Sequence, residues 1–247
     1  MIYGTRSVIE AILAGKEIEK IMIQSGLTND LIKELVSVAR THQVPVTFVP
    51  AEKLHRVSSK NHQGVICLLS SVSYASLENL VDRAFSEGRE PFFLLLDRIT
   101  DVRNFGAIAR TAECAGLDAI VIGEKGSAPI TGDAMKTSAG ALNHLPVCRE
   151  RDLKKTIKFL QESGIRVIAC TEKASKLIYA VEFNGPTALL LGSEEDGIAD
   201  TLLKDVDDLA KIPMKGKISS LNVSVAAGVA IYEVIRQKKI IGGSQGL

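Results

Sequence analysis

Polar side chains and glycines follow three apolar, strand-like runs of this sequence, in residues 96–112, 192–198 and 212–228. Open α/β sheets bind ligands beyond the carboxyl ends of their strands, so polar residues at these places are candidates for chemistry. The residue types point to anion recognition in the first segment, to charge or cation binding in the second, and to a ligand-binding helix start in the third.

The first segment carries Arg103 and Arg110, seven residues apart. That spacing puts both guanidinium groups on one face of a helix, where their forked donors match phosphate oxygens. A solvent-exposed helix with two solubilising arginines fits the local pattern as well. Asn104 is placed to cap the helix, and Gly106 lets the helix backbone approach a neighbour closely.

The second segment ends a buried strand with three adjacent carboxylates, Glu194, Glu195 and Asp196, between two glycines. Adjacent carboxylates repel one another unless they face water, a cation or basic groups. No histidine or other ligand cluster lies near them in the sequence. An ordinary acidic turn is therefore the simpler interpretation, and no metal site is predicted.

The third segment runs from Ile212 through a flexible loop into a long apolar helix. We expect Ser219 or Ser220 to cap this helix. The free backbone N–H groups of such a helix start can bind a polar or anionic ligand.

The elements that must position these segments alternate from residue 92 onward. Continuous apolar runs of the type found in parallel sheets covered on both faces alternate with helix-like segments, which predicts a doubly wound α/β domain. The predicted strands are 92–96, 119–122, 167–169, 188–191 and 209–212, and the predicted helices are 105–115, 133–142, 152–163, 198–204 and 221–237.

The first seventy residues form a separate small α/β pattern, with helices over 7–14, 30–41 and 51–59 and strands over 18–23, 44–49 and 65–69. We therefore predict one domain over 1–72, a linker over 73–91 and a second domain over 92–247. A local basic surface for nucleic acid is one interpretation of a cluster in the first domain, and a solvated helix face is the other. The cluster comprises Lys53, His55, Arg56, Lys60 and His62.

Composition restricts the class of protein. The 247 residues are 46% hydrophobic and 24% charged with a net charge of +1, which is ordinary globular composition. No apolar run reaches the ~18 residues needed to span a bilayer, and the first residues lack a signal-peptide pattern, so we expect a cytoplasmic protein. The cysteines form no CxxC pair, and we interpret them as reduced core residues. They are Cys67, Cys114, Cys148 and Cys170.

Together and in this order, the three segments resemble the signature motifs of the SpoU (TrmH-like) RNA ribose methyltransferases. Asn104-Phe-Gly-Ala-Ile-Ala-Arg110 resembles the first motif and Gly192-Ser-Glu-Glu-Asp-Gly197 the second. Ile212-Pro-Met and Ser219-Ser-Leu-Asn-Val-Ser-Val resemble the third. The resemblance covers about residues 92–240. The N-terminal segment, including Asn61-His-Gln-Gly-Val, resembles the L30e-like substrate domain of the 23S rRNA guanosine methyltransferase branch.

The resemblance implies a SPOUT fold, an α/β fold with a parallel sheet whose C-terminal segment forms a deep trefoil knot. Chain-topology rules alone argue against a knot, so that expectation rests on the resemblance. The resemblance also implies a homodimer with the active site near its interface, and S-adenosyl-L-methionine (AdoMet) as cofactor. The implied reaction is displacement of the AdoMet methyl group by a ribose 2′-hydroxyl of structured RNA, in line with the departing sulfur.

The resemblance further assigns site residues. Arg110 is the implied catalytic arginine, and Asn104, Glu194, Ser220 and Asn222 complete the polar site. The implied cofactor-binding residues are Thr171, Leu191, Gly192, Gly197, Ile212, Met214, Ser220 and Leu221. The expected RNA contacts are Arg103, Arg110, Lys53, Arg56 and Lys60. Because a guanidinium rarely gives up its proton in a protein, we expect Arg110 to hold phosphate and stabilise a developing alkoxide, while a phosphate oxygen or water accepts the proton.

The branch that the sequence resembles favours a guanosine of 23S rRNA as the target. A tRNA ribose methyltransferase is the alternative within the family, disfavoured because tRNA-specific relatives generally lack this N-terminal domain. A non-catalytic RNA-binding or ribosome-assembly protein on the same fold is a second alternative. Retention of Asn104, Arg110 and Glu194 argues against it.

Overall fold

The protein divides into two compact units. The computed structural model describes residues 1–241, with side chains as far as Lys238, so residues 242–247 of the predicted second domain lie outside the described residues. The first unit comprises Met1–Ser73 with Pro129–Thr131, and the second comprises Tyr74–Ala128 and the described residues from Gly132 onward. Among the described residues, no helix is long and apolar enough to cross a membrane.

The first unit is a four-stranded sheet with three helices. The sheet order is β1-β4-β2-β3, in which only β2 and β3 pair in parallel. Its core forms where the apolar faces of α1 and α2 pack on the sheet, around Ile9, Ile21 and Leu35. The elements are β1 (Ile2–Tyr3), α1 (Thr5–Leu13), β2 (Ile18–Gln24), α2 (Asp30–Thr41), β3 (Val46–Val49), α3 (Ala51–Val57) and β4 (Val65–Leu69).

The second unit is a parallel sheet of seven strands among the described residues, in the order β11-β9-β10-β6-β7-β8-β5. Two single-turn 3₁₀ helices, Ala141–Asn143 and Ile178–Ala180, lie in its connections. The other elements are β5 (Tyr74–Ala75), α4 (Leu77–Ser86), β6 (Phe92–Asp97), α5 (Val102–Cys114), β7 (Ala119–Gly123), α6 (Gly132–Thr137), β8 (Val147–Glu150), α7 (Leu153–Glu162), β9 (Arg166–Cys170), β10 (Thr187–Gly192), α8 (Asp200–Leu203), β11 (Asp208–Ala210) and α9 (Val223–Ile241).

Strand order explains why distant segments of sequence can meet. Strand β10 lies between β9 and β6, and its last residue, Gly192, pairs with Asp97 at the end of β6. Because all these strands are parallel, the loops after β6, β9, β10 and β11 leave from the same edge of the sheet. The three polar segments of the sequence therefore begin side by side.

Residues 74–86 differ from their predicted place in a linker. Strand β5 pairs with β8, and Leu77 and Val81 of α4 are buried in the core of the second unit. The amphipathic period of this segment reflects that packing.

Strand β8 was not predicted, because only its first two residues are apolar and Arg149 and Glu150 follow. Cys114 is exposed, so the prediction that all four cysteines are core residues is wrong for this one.

Gly106→Ala should lower the melting temperature. An added Cβ would overlap the Thr137 side chain, so α5 and α6 would have to move apart. Overpacking of this kind costs about 1–3 kcal/mol. Gly132→Ala is the matched control, because nothing lies within 4 Å of a Cβ added there. Identical thermal unfolding of Gly106→Ala and the wild type would contradict this close helix contact.

Candidate functional site

A cavity of about 650 Å³ opens at the carboxyl ends of β9, β10 and β11. Its walls come from the loops that follow these strands and from the start of α9. All of the residues predicted to bind the cofactor line it. They are Thr171, Leu191, Gly192, Gly197, Ile212, Met214, Ser220 and Leu221.

The cavity is lined by acidic and by apolar side chains. The carboxylates Glu172, Glu194, Glu195 and Asp196 line it, and Lys211 is the one basic side chain among its described lining residues. Leu191, Ile212, Met214 and Leu221 supply apolar surface. Burial raises the pKa of the neighbouring Cys170 thiol to about 12, so this group stays protonated. The cavity suits a ligand that carries positive charge.

The acidic turn, residues 192–197, is closed tightly on itself. The Gly197 N–H donates to the Ser193 carbonyl at 3.0 Å, and the Asp196 N–H donates to Ser193 Oγ at 3.1 Å. A Cβ on Gly192 would overlap the backbone of Gly197, and Gly197 has a φ of +65°. The turn therefore has no room for a side chain at Gly192, and its left-handed conformation at Gly197 favours glycine. This closure presents Glu194 and Glu195 outward from a fixed base.

Glu194 joins the acidic turn to the start of α9. Its Oε1 atom accepts hydrogen bonds from Asn222 Nδ2 and from the Val223 N–H, the latter at 3.1 Å. Asn222 Nδ2 also donates to Asn104 Oδ1 at 3.0 Å. Three of the predicted catalytic residues, one from each polar segment, thus form one hydrogen-bonded cluster.

The residues that cap α5 and α9 differ from the predicted ones. Asp101 Oδ1 caps α5 by accepting from the Asn104 N–H at 2.8 Å, so the predicted cap at Asn104 is wrong. Helix α9 begins at Val223, and Asn222 Oδ1 accepts from the Ser224 N–H at 3.0 Å, so Ser219 and Ser220 do not cap it either. Ser220 instead lines the cavity.

A second pocket of about 300 Å³ adjoins the first. The two share four residues of the acidic turn (Ser193, Glu194, Glu195 and Asp196) and Val223. Asn104, Asp101 and Arg98 line the smaller pocket and do not line the larger one. One wall of carboxylates therefore separates two spaces, and the Glu194 cluster borders both.

Arg110 lies apart from the other predicted catalytic residues. It is exposed on α5, lines neither pocket, and makes no hydrogen bond or ion pair with any residue that the structure describes. Arg103, seven residues earlier, is likewise exposed. The structure thus joins Asn104, Glu194 and Asn222 by hydrogen bonds and places Ser220 in the cavity that Glu194 also lines, whereas both arginines are exposed on α5.

The pair formed by Asp97 and Arg98 was not predicted from the sequence. Asp97 is buried at the end of β6, and its Oδ2 accepts from the Ala199 N–H at 2.9 Å. A hydrogen bond with Asp97 raises the pKa of Arg98, which also contacts Asp196. Nothing in the residue pattern indicates the role of this pair, because the residues that Arg98 contacts, Asp196 and Gly197, lie about a hundred residues further along the chain.

In the first unit, the three basic residues predicted to contact RNA are exposed. Lys53 and Arg56 lie on α3, and Lys60 follows it with its Nζ 5.7 Å from the Tyr3 ring centroid. His62 is buried, which differs from its predicted place in this basic surface. Among residues 1–238, no group of three or more histidine, cysteine or acidic side chains could hold a metal ion.

Asn222→Asp should make stability depend on pH, because it places a second carboxylate against Glu194. Repulsion between two carboxylates in contact raises the pKa of one of the two groups. A folded-state pKa above the unfolded value of about 4 gives stability that is complete at low pH and falls as the pH rises. We expect the variant to match the wild type near pH 4 and to lose about 1–3 kcal/mol by pH 8, measured by urea unfolding. Asn79→Asp, exposed on α4, is the control. A constant difference from the wild type at every pH would contradict the contact.

Comparisons with known proteins identify the family of this chain. A sequence profile of the SpoU rRNA methylase family matches residues 91–232, and a profile described as RNA 2′-O ribose methyltransferase substrate binding matches residues 1–75. YacO of Bacillus subtilis, named as a TrmH family tRNA/rRNA methyltransferase, is 33% identical over 241 residues, which cover 98% of this chain and 97% of that protein.

Solved structures share the fold. AviRb, a SpoU methyltransferase of Streptomyces viridochromogenes solved in complex with AdoMet, superposes with a TM-score of 0.61 at 24% identity, over 98% of this chain and 90% of that chain. A TrmH/SpoU tRNA modifying enzyme of A. aeolicus gives 0.57 at 24% identity, over 67% of this chain and 86% of that chain.

These matches confirm the predicted α/β fold with its preceding substrate-binding unit. They also confirm the predicted enzyme class, an AdoMet-dependent RNA methyltransferase, at the level of the family. Because one profile covers more than half of the chain and a relative is one-third identical over nearly all of it, the protein belongs to the SpoU rRNA methylase family.

Proposed function

We propose that this protein transfers the methyl group of AdoMet to a ribose 2′-hydroxyl of ribosomal RNA. The observation that carries the proposal is the acidic cavity, which meets a second pocket at the cluster of Glu194, Asn222 and Asn104. One space suits a cofactor and the other a nucleoside. The cluster between them stands where a methyl group would pass.

The cavity fits AdoMet in size and charge. Its volume of about 650 Å³ lies within the ~300–1,000 Å³ typical of small-molecule sites. AdoMet carries positive charge on its sulfonium and its ammonium, and four carboxylates face this cavity. When bound, the cofactor supplies an electrophilic methyl group. The turn at Gly192 and the segment at Ile212 and Met214 would hold it.

The residues of this chain orient the acceptor. Asn222 is itself held by Glu194 and Asn104, so the position of its side-chain amide is fixed. Fixed donors and acceptors beside a reacting hydroxyl hold it in the orientation for attack, and this orientation supplies a large part of the rate acceleration. A protonated Arg110 supplies positive charge to the target phosphate and to a developing alkoxide.

We place Arg110 at the site of the second subunit of a homodimer. Arg110 reaches neither pocket of its own chain, although α5 packs against α9. Helix α9 also exposes Val225 and Tyr232, which are seven residues apart and share a face. An exposed apolar face beside an exposed arginine fits a subunit interface that completes the site. The deep knot of the C-terminal segment stays a prediction.

We infer that the target is a guanosine of cytoplasmic 23S rRNA. The N-terminal unit matches a substrate-binding profile, whereas the tRNA modifying enzyme of A. aeolicus matches only 67% of this chain. The unmatched third is about the size of the first unit. A tRNA target is the second candidate, because YacO is named for both RNA classes.

The direct test of the proposal is transfer of a labelled methyl group from AdoMet to RNA. Ribosomal RNA and tRNA should come from a strain that lacks this gene, so that their target sites are unmodified. We expect label in 23S rRNA, mapped to one 2′-O-methylguanosine, with Glu194→Gln as the inactive control. Label in tRNA alone would contradict the rRNA assignment, and no label in either RNA would contradict the activity.

A heterodimer of Arg110→Ala with Glu194→Gln should be active although each homodimer is nearly inactive. If Arg110 acts across the interface, one of the two sites is intact, so about half of the wild-type turnover is expected. Coexpression with two affinity tags and sequential purification yields the heterodimer for the methyl-transfer assay. An inactive heterodimer would show instead that Arg110 acts within its own subunit.

Replacing Lys53, Arg56 and Lys60 together by alanine should weaken RNA binding and leave AdoMet binding unchanged. Removal of one basic side chain that neutralises a phosphate should lower the slope of log affinity against log salt by about 0.7–0.9, so the slope should fall by about 2–3. Filter binding at several salt concentrations measures the slope, and calorimetry measures AdoMet affinity. Glu34, Glu52 and Glu10 replaced by alanine serve as a control for surface change. An unaltered slope would show that these three residues do not bind RNA phosphates.

A further inference from the structure

Arg98 has an unusual backbone conformation at the edge of the candidate site. Its φ is +58°, a left-handed value that L side chains rarely adopt. It follows β6 directly, where the chain leaves the sheet towards α5. Non-glycine residues keep such a conformation where surrounding contacts hold it, and these residues are concentrated at functional sites. The contacts that hold Arg98 in this conformation therefore indicate its role.

The side chain of Arg98 connects the end of β6 with the acidic turn. Nη1 donates to Asp196 Oδ2 at 3.1 Å, and Nη2 donates to the Gly197 carbonyl at 3.1 Å. The same guanidinium donates from Nη2 to Asp97 Oδ2 at 3.2 Å. A planar guanidinium can serve three acceptors at once, which a lysine ammonium on a flexible stem does poorly.

The surroundings fix the course of this side chain. A Cβ added to Gly126 would lie 3.1 Å from Arg98 Cγ, so the absence of a side chain at Gly126 gives the stem its space. Asp97 is buried and holds the Ala199 N–H as well. Arg98 thus contacts Asp196 and Gly197 at the end of the acidic turn, and Asp97 contacts Ala199 just beyond it.

We propose that Arg98 is a positioning residue that fixes the acidic turn and, through it, Glu194 and the wall of the cofactor cavity. Only the closed base of the turn and the Asp97–Arg98 pair hold Asp196 and Gly197 among the described contacts. Glu194 must keep its place for Asn222 and the start of α9 to be oriented. The effect on AdoMet rests on the proposed function, whereas the effect on the turn does not.

Arg98→Gly and Arg98→Lys separate positioning from general stability. Glycine suits a φ of +58° and removes the guanidinium, while lysine keeps the charge and loses the fork. In the free protein, hydrogen exchange of the peptide that spans residues 192–199 should become about tenfold faster in both variants, with the sheet strands unchanged. Arg151→Lys is the matched control, because Arg151 is exposed and lines neither pocket.

AdoMet binding gives the second readout. Loss of a residue that orients the ligands of a metal typically costs about 10–100-fold in affinity, and we expect the lower end of that range here, so calorimetry should show AdoMet affinity about ten times weaker in both variants. Methylguanidine should restore affinity to Arg98→Gly and not to Arg98→Lys. Unchanged exchange in the turn, or exchange that rises equally across the whole second unit, would overturn the proposal. Absence of AdoMet binding by the wild type would overturn the proposed function, and the exchange data would still decide whether Arg98 fixes the turn.

Discussion

The Glu194 carboxylate joins two parts of the chain that are separated by nearly thirty residues. On one side it belongs to a turn that closes on its own backbone after β10, and on the other it accepts donors from Asn222 and Val223 at the start of α9. Residues of both segments line the cavity, and this carboxylate links them. A hydrogen bond to an ionised acceptor is stronger than a neutral one, which suits a contact that must define a site.

Sheet topology makes that contact possible. Parallel strands direct their loops to one edge, and β10 has β6 and β9 as neighbours. The first polar segment follows β6, the second follows β10, and the third follows β11 beside β9. The arrangement of the strands therefore brings the three segments together. The strand that precedes each segment sets its position, and short-range hydrogen bonds then fix its orientation.

The sequence supported the fold and the site residues to different degrees. Helix α2 and strand β4 coincide with their predictions, because clear periodicity and turn residues bound them. Apolar runs predicted five strands of the second unit, but β8 has too few apolar residues to be recognised. Residues 74–86 were predicted as a linker because an amphipathic helix shows that it packs without showing on which unit.

Within the site, residue identity was more predictable than residue geometry. The motif resemblance selected Asn104, Glu194 and Asn222, which the structure joins by hydrogen bonds. It could not show that Asp101 caps α5 and so frees Asn104, because either residue is a good cap. Arg98 was not identified, since its left-handed φ and its contacts to the acidic turn arise only once β6 and β10 pair.

The central claim is that the cavity between the acidic turn and residues 212–214 holds the methyl donor. A crystal structure of the protein with S-adenosylhomocysteine tests it most directly. We expect the ligand within this cavity, with its sulfur facing the smaller pocket beside Glu194 and Asn222. Ligand density at any other surface, with this cavity filled by water alone, would contradict the account.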